Sequence, residues 1–420
     1  MASLACSSSI SGTHLLPTAL APAYSLRSCK ISFRRSVESG SRRSGLFDAS
    51  NNTGHWILQR VRQYATVQAA ATAKNDTTAT TGRTAPIPPP SRVNVSPHGL
   101  SPPIVHRPGQ IKGEGEGKRT ILASDEMIFK AKEGGKLQTV MIVHGILGAA
   151  RNWRMFSKRV ANYMLEETPC QYGWRMVMVD LRNHGNSATL PGLKAPHDIP
   201  ATARDLANFI EAEGKAPDVL IAHALGGKVA LDFVQNVTAG TYGSAALLPK
   251  QLWVLESPPG PMTSEKAEGD MERVLEAVQP LKEPLPTRKW LSDKIVELGF
   301  NAGLAHWLGT QLKRINPDAE EMEWVFNIKE CYEMLQSNRR LDYWSVLENP
   351  LPQGLHIAFV RAGRSERMTP DEGIERLEAA ASKHPDNLSF HTLPNAGHWL
   401  HTENISGFIR IVNPYLSKLQ

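Results

Sequence analysis

Short apolar strands that alternate with amphipathic helices constrain the fold more than any other feature of this sequence. Strands that are apolar on both faces are typical of a parallel sheet covered by helices on both sides, with sites beyond the carboxyl ends of the strands. A more polar strand at Thr120–Phe129 is expected at a sheet edge. The predicted buried strands are Thr139–Val143, Trp174–Val179, Asp218–Ala222, Gln251–Leu255 and Leu355–Val360. The predicted helices are Trp153–Met164, Thr202–Glu213, Gly227–Val237, Pro370–Ser382 and Ile405–Val412.

The N-terminal part of the chain has the composition of a targeting leader and a linker. Residues 1–37 contain no acidic side chain and are rich in Ser and Ala, which predicts an organelle transit peptide over about 1–70. The Ser- and Ala-rich character favours the chloroplast, with the mitochondrion as the alternative. Residues 71–118 are rich in Pro, Gly, Thr and Ser and are predicted to be a disordered linker. The folded domain is therefore expected over 119–420.

Charge and cysteine content exclude several classes of function. Residues 1–118 hold 14 Lys and Arg against 5 Asp and Glu, whereas the remainder holds 33 against 36. The folded part thus has no basic excess for nucleic acid. The sequence contains no apolar run of 18 residues, so no transmembrane segment is expected. Cys170 and Cys331 read as buried thiols, and no metal-ligand spacing is present. The oligomeric state stays open.

A Trp-rich insertion interrupts the alternation of strands and helices. The segment Ser264–Glu348 is helical in pattern throughout and predicts a lid over about 264–350. Its tryptophans would either shape an apolar pocket or pack the lid onto the body. The predicted lid helices are Met271–Val278, Trp290–Gly299 and Met322–Ser337. The tryptophans are Trp290, Trp307, Trp324 and Trp344.

The segment Ile221–Leu231, with the sequence IAHALGGKVAL, resembles a nucleophile elbow. A buried strand runs directly into a helix through small residues, as in the pattern G-x-S-x-G. Aligned on that pattern, Ala224 occupies the position of the serine nucleophile. Because alanine offers no lone pair, it cannot attack a carbonyl carbon. The segment predicts an elbow from which the attacking group has been lost.

Candidates for a general base, an acid and an oxyanion donor lie in loops after predicted strands. His398, in NAGHWLH, is the candidate base. Glu256 ends the strand QLWVL, and Glu366 lies in the loop after the next strand, so either can supply the acid. We favour Glu256. In VHGILG, the amide of Ile146 would be one donor of an oxyanion hole.

Four motifs in order resemble one branch of the α/β-hydrolase superfamily, the small mitochondrial and plastid esterase-like proteins with bacterial short-chain counterparts. The motifs are VHGILGAARNW, VDLRNHGNS, the elbow with GGKVAL, and PNAGHWLH. The resemblance spans about 119–419 and implies an α/β-hydrolase fold with a helical lid. It implies ester or thioester hydrolysis without cofactor or metal. It places the base on His398, the oxyanion donors on the amides of Ile146 and Leu225, and the acid on Glu256 or Glu366.

Three functions remain open from the sequence. The chain can be a protein that binds a small apolar ester-like ligand without hydrolysing it, because Ala224 lacks the hydroxyl. It can instead use a His398–carboxylate dyad to activate water or deprotonate a substrate, as in lyases and cofactor-free oxygenases. It can also be an ordinary carboxylic-ester hydrolase whose natural form carries serine at this position.

Overall fold

The computed structural model describes residues 102–112, 118–131, 135–167, 172–243, 247–262, 270–365 and 373–419. Its strands are β1 (Val105–Arg107), β2 (Gln110–Lys112), β3 (Lys118–Thr120), β4 (Ser124–Phe129), β5 (Leu137–Val143), β6 (Gly173–Val179), β7 (Val219–His223), β8 (Gln251–Leu255), β9 (Leu312–Arg314), β10 (Met322–Trp324), β11 (His356–Ala362) and β12 (Leu388–Leu393). Its α-helices are α1 (Arg154–Glu167), α2 (Ile199–Glu213), α3 (Leu225–Thr238), α4 (Asp270–Val278), α5 (Arg288–Glu297), α6 (Ala302–Thr310), α7 (Ile328–Arg340), α8 (Trp344–Glu348), α9 (Ile374–Lys383), α10 (Leu400–Glu403) and α11 (Ile405–Leu416).

Within the described residues, eight strands form one sheet in the order β1-β4-β6-β5-β7-β8-β11-β12. The strands from β6 to β12 in that order run parallel, and β4 and β1 continue the sheet in antiparallel pairing. Each of the five predicted buried strands coincides with one of these parallel strands to within a few residues at its ends, so the mostly parallel sheet is confirmed. Since the carboxyl ends of parallel strands share one edge, the loops after β5, β7, β8 and β12 can meet there.

Side chains of the sheet alternate between two apolar cores, as the pleat requires. Met141 and Val143 of β5 pack into the core beneath α2 and α3, whereas Val140 and Ile142 pack into the core beneath α1 and α11. Phe209 and Phe233 fill the first core. Phe156 and Phe408 fill the second, with ring centroids 5.3 Å apart. Helices therefore cover both faces, as the sequence predicts.

Both edges of the sheet differ from the sequence prediction. Ser124–Phe129 is not an edge strand, because β1 pairs with it on its outer side. Both β1 and β2 lie within the stretch 71–118 that composition assigns to the linker. Arg107 holds β1 in place through ion pairs with Glu126 at 2.8 Å and Glu213 at 2.6 Å. These ion pairs join residues far apart in the chain, and composition alone does not reveal them. The ordered part of the chain therefore begins earlier than composition predicts.

At the opposite edge, β12 is a strand that the sequence pattern did not indicate. Its inner residues are only half-buried, and it pairs with β11 alone. A half-exposed edge strand that carries His391 and Thr392 lacks the continuous apolar run by which buried strands are recognised. The loop after this strand carries His398, so the missed strand positions a candidate site residue.

The insertion is a mixed lid, and the prediction that it is helical throughout is wrong. It contains the helices α4 to α8 together with an antiparallel hairpin of β9 and β10. The predicted helix Met322–Ser337 is a strand at Met322–Trp324 followed by a helix that begins only at Ile328. Short apolar runs such as MEWVF cannot be assigned by periodicity, because both a buried strand and a buried helix show them. Trp324 stacks on Phe326 at 5.0 Å.

Candidate active site

The sharp turn between β7 and α3 is formed as the sequence predicts. Ala224 is the single residue between His223, the last residue of β7, and Leu225, the first of α3. Its backbone has φ 49° and ψ −120°, a region that side-chain-bearing residues rarely occupy. The Ala224 amide donates to the Leu255 carbonyl at 2.8 Å. The turn is therefore strained and is fixed to the neighbouring strand β8.

Two glycines after this turn allow α3 to pack directly against the neighbouring loops. A Cβ on Gly226 would lie 2.6 Å from the His144 carbonyl oxygen. A Cβ on Gly227 would lie 2.4 Å from the Ser257 Cβ. Both distances are shorter than any real contact of that kind, so the run GG in GGKVAL is a packing requirement of the elbow.

Ala224, Glu256 and His398 meet at one pocket, at the carboxyl ends of β7, β8 and β12. His398 Nδ1 lies 3.7 Å from Glu256 Oε2, which is longer than a hydrogen bond. Glu256 is 2% exposed, and its Oε1 accepts a 2.5 Å hydrogen bond from the Ala362 amide. The structure thus brings the candidate base together with one of the two candidate acids. Glu366 lies outside the described residues, as does Cys170.

Two further histidines lie beside His398. His223 Nε2 donates to the His398 carbonyl at 2.9 Å, and the two rings are 4.7 Å apart. His401 is 4.8 Å from the His223 ring and stacks on Trp153 at 3.9 Å. His401 is only 5% exposed, so it is a buried member of this histidine cluster. Burial, assisted by His223, lowers the pKa of His401 well below its usual value.

Two buried, neutral histidines fix the loop that carries Ile146. His144 Nε2 accepts from the Leu181 amide at 3.1 Å, and His184 Nε2 accepts from the Leu147 amide at 3.0 Å. Burial lowers the pKa of His144 to about 3 and that of His184 to about 4. Because each ring accepts through Nε2, it must be neutral there. The loops after β5 and β6 are therefore tied to one another at both residues.

Asp180 adds to the same scaffold. Its carboxylate accepts from the amides of Ala150 at 2.7 Å and Asn186 at 2.9 Å. Burial raises its pKa to about 6, against the opposing effect of these two amides. Asp180 of the VDLRNHGNS motif therefore has a structural role in this turn.

The residues that carry the two candidate oxyanion donors, Ile146 and Leu225, line the same pocket as Ala224. Leu225 is the first residue of α3, so its amide has no acceptor within the helix. The N-terminus of a helix also favours a nearby negative charge. A developing oxyanion beside Ala224 would therefore meet a favourable electrostatic environment.

The pocket encloses about 850 Å³, including the solvent space at its mouth. The lid supplies apolar side chains from Met271, Trp307 and Leu335. Trp307 lies 5.6 Å from the ring of Trp399. Trp307 is the one lid tryptophan among the described lining residues, while Trp324 and Trp344 are buried elsewhere in the lid. The prediction that lid aromatics shape the pocket thus applies to Trp307.

Sequence reasoning missed several residues of this pocket. Ser257 is the one hydroxyl side chain among the described residues that line it. It packs against α3, since a Cβ on Gly227 would lie 2.6 Å from its Oγ. Its only signal in the sequence was its place directly after Glu256. Glu272, Asn338 and Arg339 of the lid also line the pocket, and no motif marked them.

The described residues contain no group of three or more His, Cys, Asp or Glu side chains arranged to hold a metal ion. Within the same residues, no helix has the length and apolar character needed to cross a membrane.

Comparisons with known proteins agree with this architecture. The model of the alpha/beta hydrolase family matches residues 140–410. The chain is 25% identical over 285 residues to the sn-1-specific diacylglycerol lipase ABHD11 of Mus musculus, covering 67% of this chain and 81% of that protein. The ABHD11 protein of Danio rerio is 23% identical over 297 residues, covering 69% of this chain and 81% of that protein.

Solved structures show the same fold. A marine microorganism esterase superimposes with a TM-score of 0.54 at 20% identity, covering 70% of this chain and 99% of that one. E-2-(acetamidomethylene)succinate hydrolase superimposes with a TM-score of 0.50 at 12% identity, covering 70% of this chain and 95% of that one. At these identities the likeness concerns the fold, and the predicted α/β-hydrolase fold is confirmed.

Proposed function

The chain belongs to the alpha/beta hydrolase family, and on that premise we propose that it binds a small apolar ester-like ligand without hydrolysing it through a serine. The relatives that match over 81% of their length are named diacylglycerol lipases, so an ester-binding pocket is the expected inheritance. The mouse relative is an sn-1-specific diacylglycerol lipase by name, which supports an ester with an apolar acyl chain as the ligand. The apolar lid side chains at the pocket support the same class.

The observation that carries the proposal is Ala224 at the apex of the turn. Its methyl group lies in the same pocket as Glu256 and His398, at φ 49° and ψ −120°. A serine in this place would be the nucleophile of a triad, activated by an imidazole that a carboxylate orients. A methyl group has neither a proton to give up nor a lone pair, so no acyl-enzyme can form at this position.

The strained backbone adds a second argument. A residue with a side chain at positive φ costs about 1–3 kcal/mol of strain. Serine esterases tolerate this strain because it presents a hydroxyl to the substrate. Here the strain remains without the hydroxyl, which supports descent from a hydrolase and a present role in binding.

The proposal is tested by restoring the hydroxyl. A side chain at position 145 would crowd this place, since a Cβ on Gly145 would lie only 3.0 Å from the Ala224 Cβ. Because Gly145 has no side chain, space is left beside Ala224 for a serine hydroxyl. We expect the natural chain to hydrolyse p-nitrophenyl butyrate no faster than the double variant Ala224→Ser/His398→Ala. Ala224→Ser alone should raise kcat/KM by a factor on the order of 10³ or more, since removing a triad serine costs up to about 10⁶. Substantial hydrolysis by the natural chain would refute the proposal.

A second function is favoured by the position of Glu256, whose Oε2 faces His398 Nδ1 at 3.7 Å. An imidazole oriented through Nδ1 by a carboxylate is the usual arrangement of a general base that acts through Nε2. Such a dyad could deprotonate a bound substrate or water without a serine. If the natural chain turns over a substrate and His398→Ala abolishes that turnover, the dyad function replaces the binding function.

The destination of the chain is a separate proposal. The acid-free, Ser- and Ala-rich composition of residues 1–37 supports import into the chloroplast, with the mitochondrion as the alternative. These residues lie outside the described part of the structure. Fusion of residues 1–70 to a fluorescent protein in plant cells tests it, and a cytosolic signal would contradict import.

A further inference from the structure

Two histidines and a serine form a polar cluster on the last two strands of the sheet. His356 is the first residue of β11, and Ser389 and His391 lie on β12. The two strands pair in parallel, with Ala358 opposite Ser389 and Val360 opposite His391. Because alternate residues of a strand share one face, the three polar side chains project from the same face, which packs on α11. None of the three is among the described residues that line the pocket.

Both imidazoles approach the same hydroxyl oxygen through Nε2. His356 Nε2 lies 2.9 Å from Ser389 Oγ, and His391 Nε2 lies 3.0 Å from the same atom. A hydroxyl has one proton, so it donates to one imidazole and accepts from the other. The two ring nitrogens thus converge on a single oxygen atom.

The second ring nitrogen of His356 fixes the orientation of this imidazole. His356 Nδ1 donates to the Asp386 carbonyl at 3.2 Å, which leaves the lone pair of the neutral ring on Nε2. A histidine that binds a metal ion usually donates its other ring nitrogen to a carbonyl or a carboxylate in this way. His356 therefore has the tautomer and the orientation of a metal ligand that binds through Nε2.

Tyr415 of α11 borders the cluster on another side. Its Oη lies 3.3 Å from His391 Nε2. Its ring lies 5.0 Å from the His356 ring and 5.7 Å from the His391 ring. Two imidazole nitrogens are thus accompanied by two hydroxyl oxygens, those of Ser389 and Tyr415.

The electrostatic environment keeps both histidines neutral at pH 7, as metal binding requires. Burial lowers the pKa of His356, and Lys418 adds to this effect against the hydrogen bond to the Asp386 carbonyl. Burial also lowers the pKa of His391, and the neighbouring His356 adds to the effect. Both rings remain partly exposed, so an ion can reach them from solvent.

We propose that His356, His391 and Tyr415 form a binding site for Zn²⁺ or a similar divalent transition-metal ion, with Ser389 Oγ or water as a further ligand. Imidazole nitrogens suit zinc, copper and nickel, whereas Mg²⁺ and Ca²⁺ prefer carboxylate and carbonyl oxygens. Small rotations of the two partly exposed rings would bring both nitrogens to about 2.0–2.1 Å from one zinc ion. Since only two of its ligands are histidines, the site differs from the usual groups of three or more His, Cys, Asp or Glu side chains.

An ion at this place would join the edge strand to the body of the domain. Within the described sheet, β12 pairs with β11 alone, and the loop after β12 carries His398. A zinc ion held by His356, His391 and Tyr415 would connect β12 to β11 and to α11 through side chains as well. The site is therefore structural, and it stabilises the strand that positions the candidate base. It does not depend on the proposed ester-binding function.

The test measures zinc binding to the natural full chain after treatment with EDTA. Titration calorimetry with ZnCl₂ should detect a site that MgCl₂ does not fill. His356→Gln and His391→Gln should each weaken zinc binding at this site by about tenfold or more. His306→Gln is the matched control, because His306 is an exposed histidine on α6 and should leave the affinity unchanged.

Stability gives a second readout of the same site. At ten times the dissociation constant, ZnCl₂ should raise the ratio of folded to unfolded chain about elevenfold in the natural chain and in His306→Gln. The same addition should leave His391→Gln unchanged. Diffraction data collected at the zinc absorption edge locate the ion in the natural chain without any variant, so a misfolded variant would not remove the test.

Three results would overturn the site. The first is a natural chain that binds no zinc at millimolar ZnCl₂. The second is zinc binding that persists in both His356→Gln and His391→Gln, or that is lost in His398→Ala instead. The third is an anomalous peak elsewhere in the molecule with none between His356 and His391. Each of these results leaves the ester-binding function untouched.

Discussion

Replacing Ala224 with glycine should stabilise the protein, because glycine adopts φ 49° and ψ −120° without steric cost. Relief of the strain at a side-chain-bearing residue contributes about 1–3 kcal/mol. The greater conformational freedom of glycine in the unfolded chain offsets about 0.5–1 kcal/mol of this gain in the free energy of unfolding. The expected net gain in the free energy of unfolding is about 1 kcal/mol. Gly226 and Gly227 already provide the close packing, so the substitution removes only one methyl group.

The gain can be measured by urea unfolding followed through tryptophan fluorescence. With a slope on the order of 2–3 kcal/mol per molar urea, the midpoint should rise by about 0.3–0.5 M at unchanged slope. Ala239→Gly is the matched control, since Ala239 is exposed and has φ −76° at the end of α3. That change should lower stability by about 0.5–1 kcal/mol. If Ala224→Gly destabilised the protein as much as Ala239→Gly, the turn would not be strained in solution.

Two further perturbations test the scaffold of the site. The free energy of unfolding should fall as pH drops from 6.5 towards 4, because His144 and His184 titrate near 3 and 4 when folded and the unfolded chain binds more protons in this range. Each histidine contributes a slope of up to about 1.4 kcal/mol per pH unit. Asp180, with its pKa raised to about 6, gains stability as the pH falls and so offsets the contribution of one histidine. A free energy of unfolding that stays flat or rises as the pH falls from 7 to 5, measured by urea titration, would contradict this prediction. Lys228→Met should lower the Tm by several degrees, because it leaves three carbonyls without their donor, and the two buried ones cost about 1–3 kcal/mol each. Removal of an amine whose burial lowers its pKa to about 8 offsets part of this cost. An unchanged Tm would mean that Lys228 does not hold the lid to α3.

The sequence predicted the centre of the sheet better than its edges. Strands such as β5 and β7 are buried on both faces, so their apolar runs are continuous and easy to recognise. The edge strands β1 and β12 are short or half-exposed and depend on partners far along the chain. Arg107 is an example, since the glutamate Glu213 that it pairs with lies 106 residues away. No local pattern carries that information.

The same division applies to the site. Ala224, Glu256 and His398 could be picked out because each follows a recognisable strand or stands in a motif, and parallel strands bring their ends together. The lid residues Asn338 and Arg339 belong to a helix that the sequence began too early, and nothing in their neighbourhood indicated which face meets the pocket. A lid packs through tertiary contacts and not through a repeated sequence pattern, so only the structure shows which lid residues line the pocket.

Labelling with a fluorophosphonate probe tests the central claim most directly, because the probe reacts only with an activated nucleophile. We expect no labelling of the natural chain, labelling of Ala224→Ser at the introduced serine, and loss of that labelling in Ala224→Ser/His398→Ala. Mass spectrometry identifies the modified residue. Labelling of the natural chain in the pocket, at Ser257 for instance, would show that another hydroxyl has taken over the attack, and the account of a pocket without a nucleophile would be wrong.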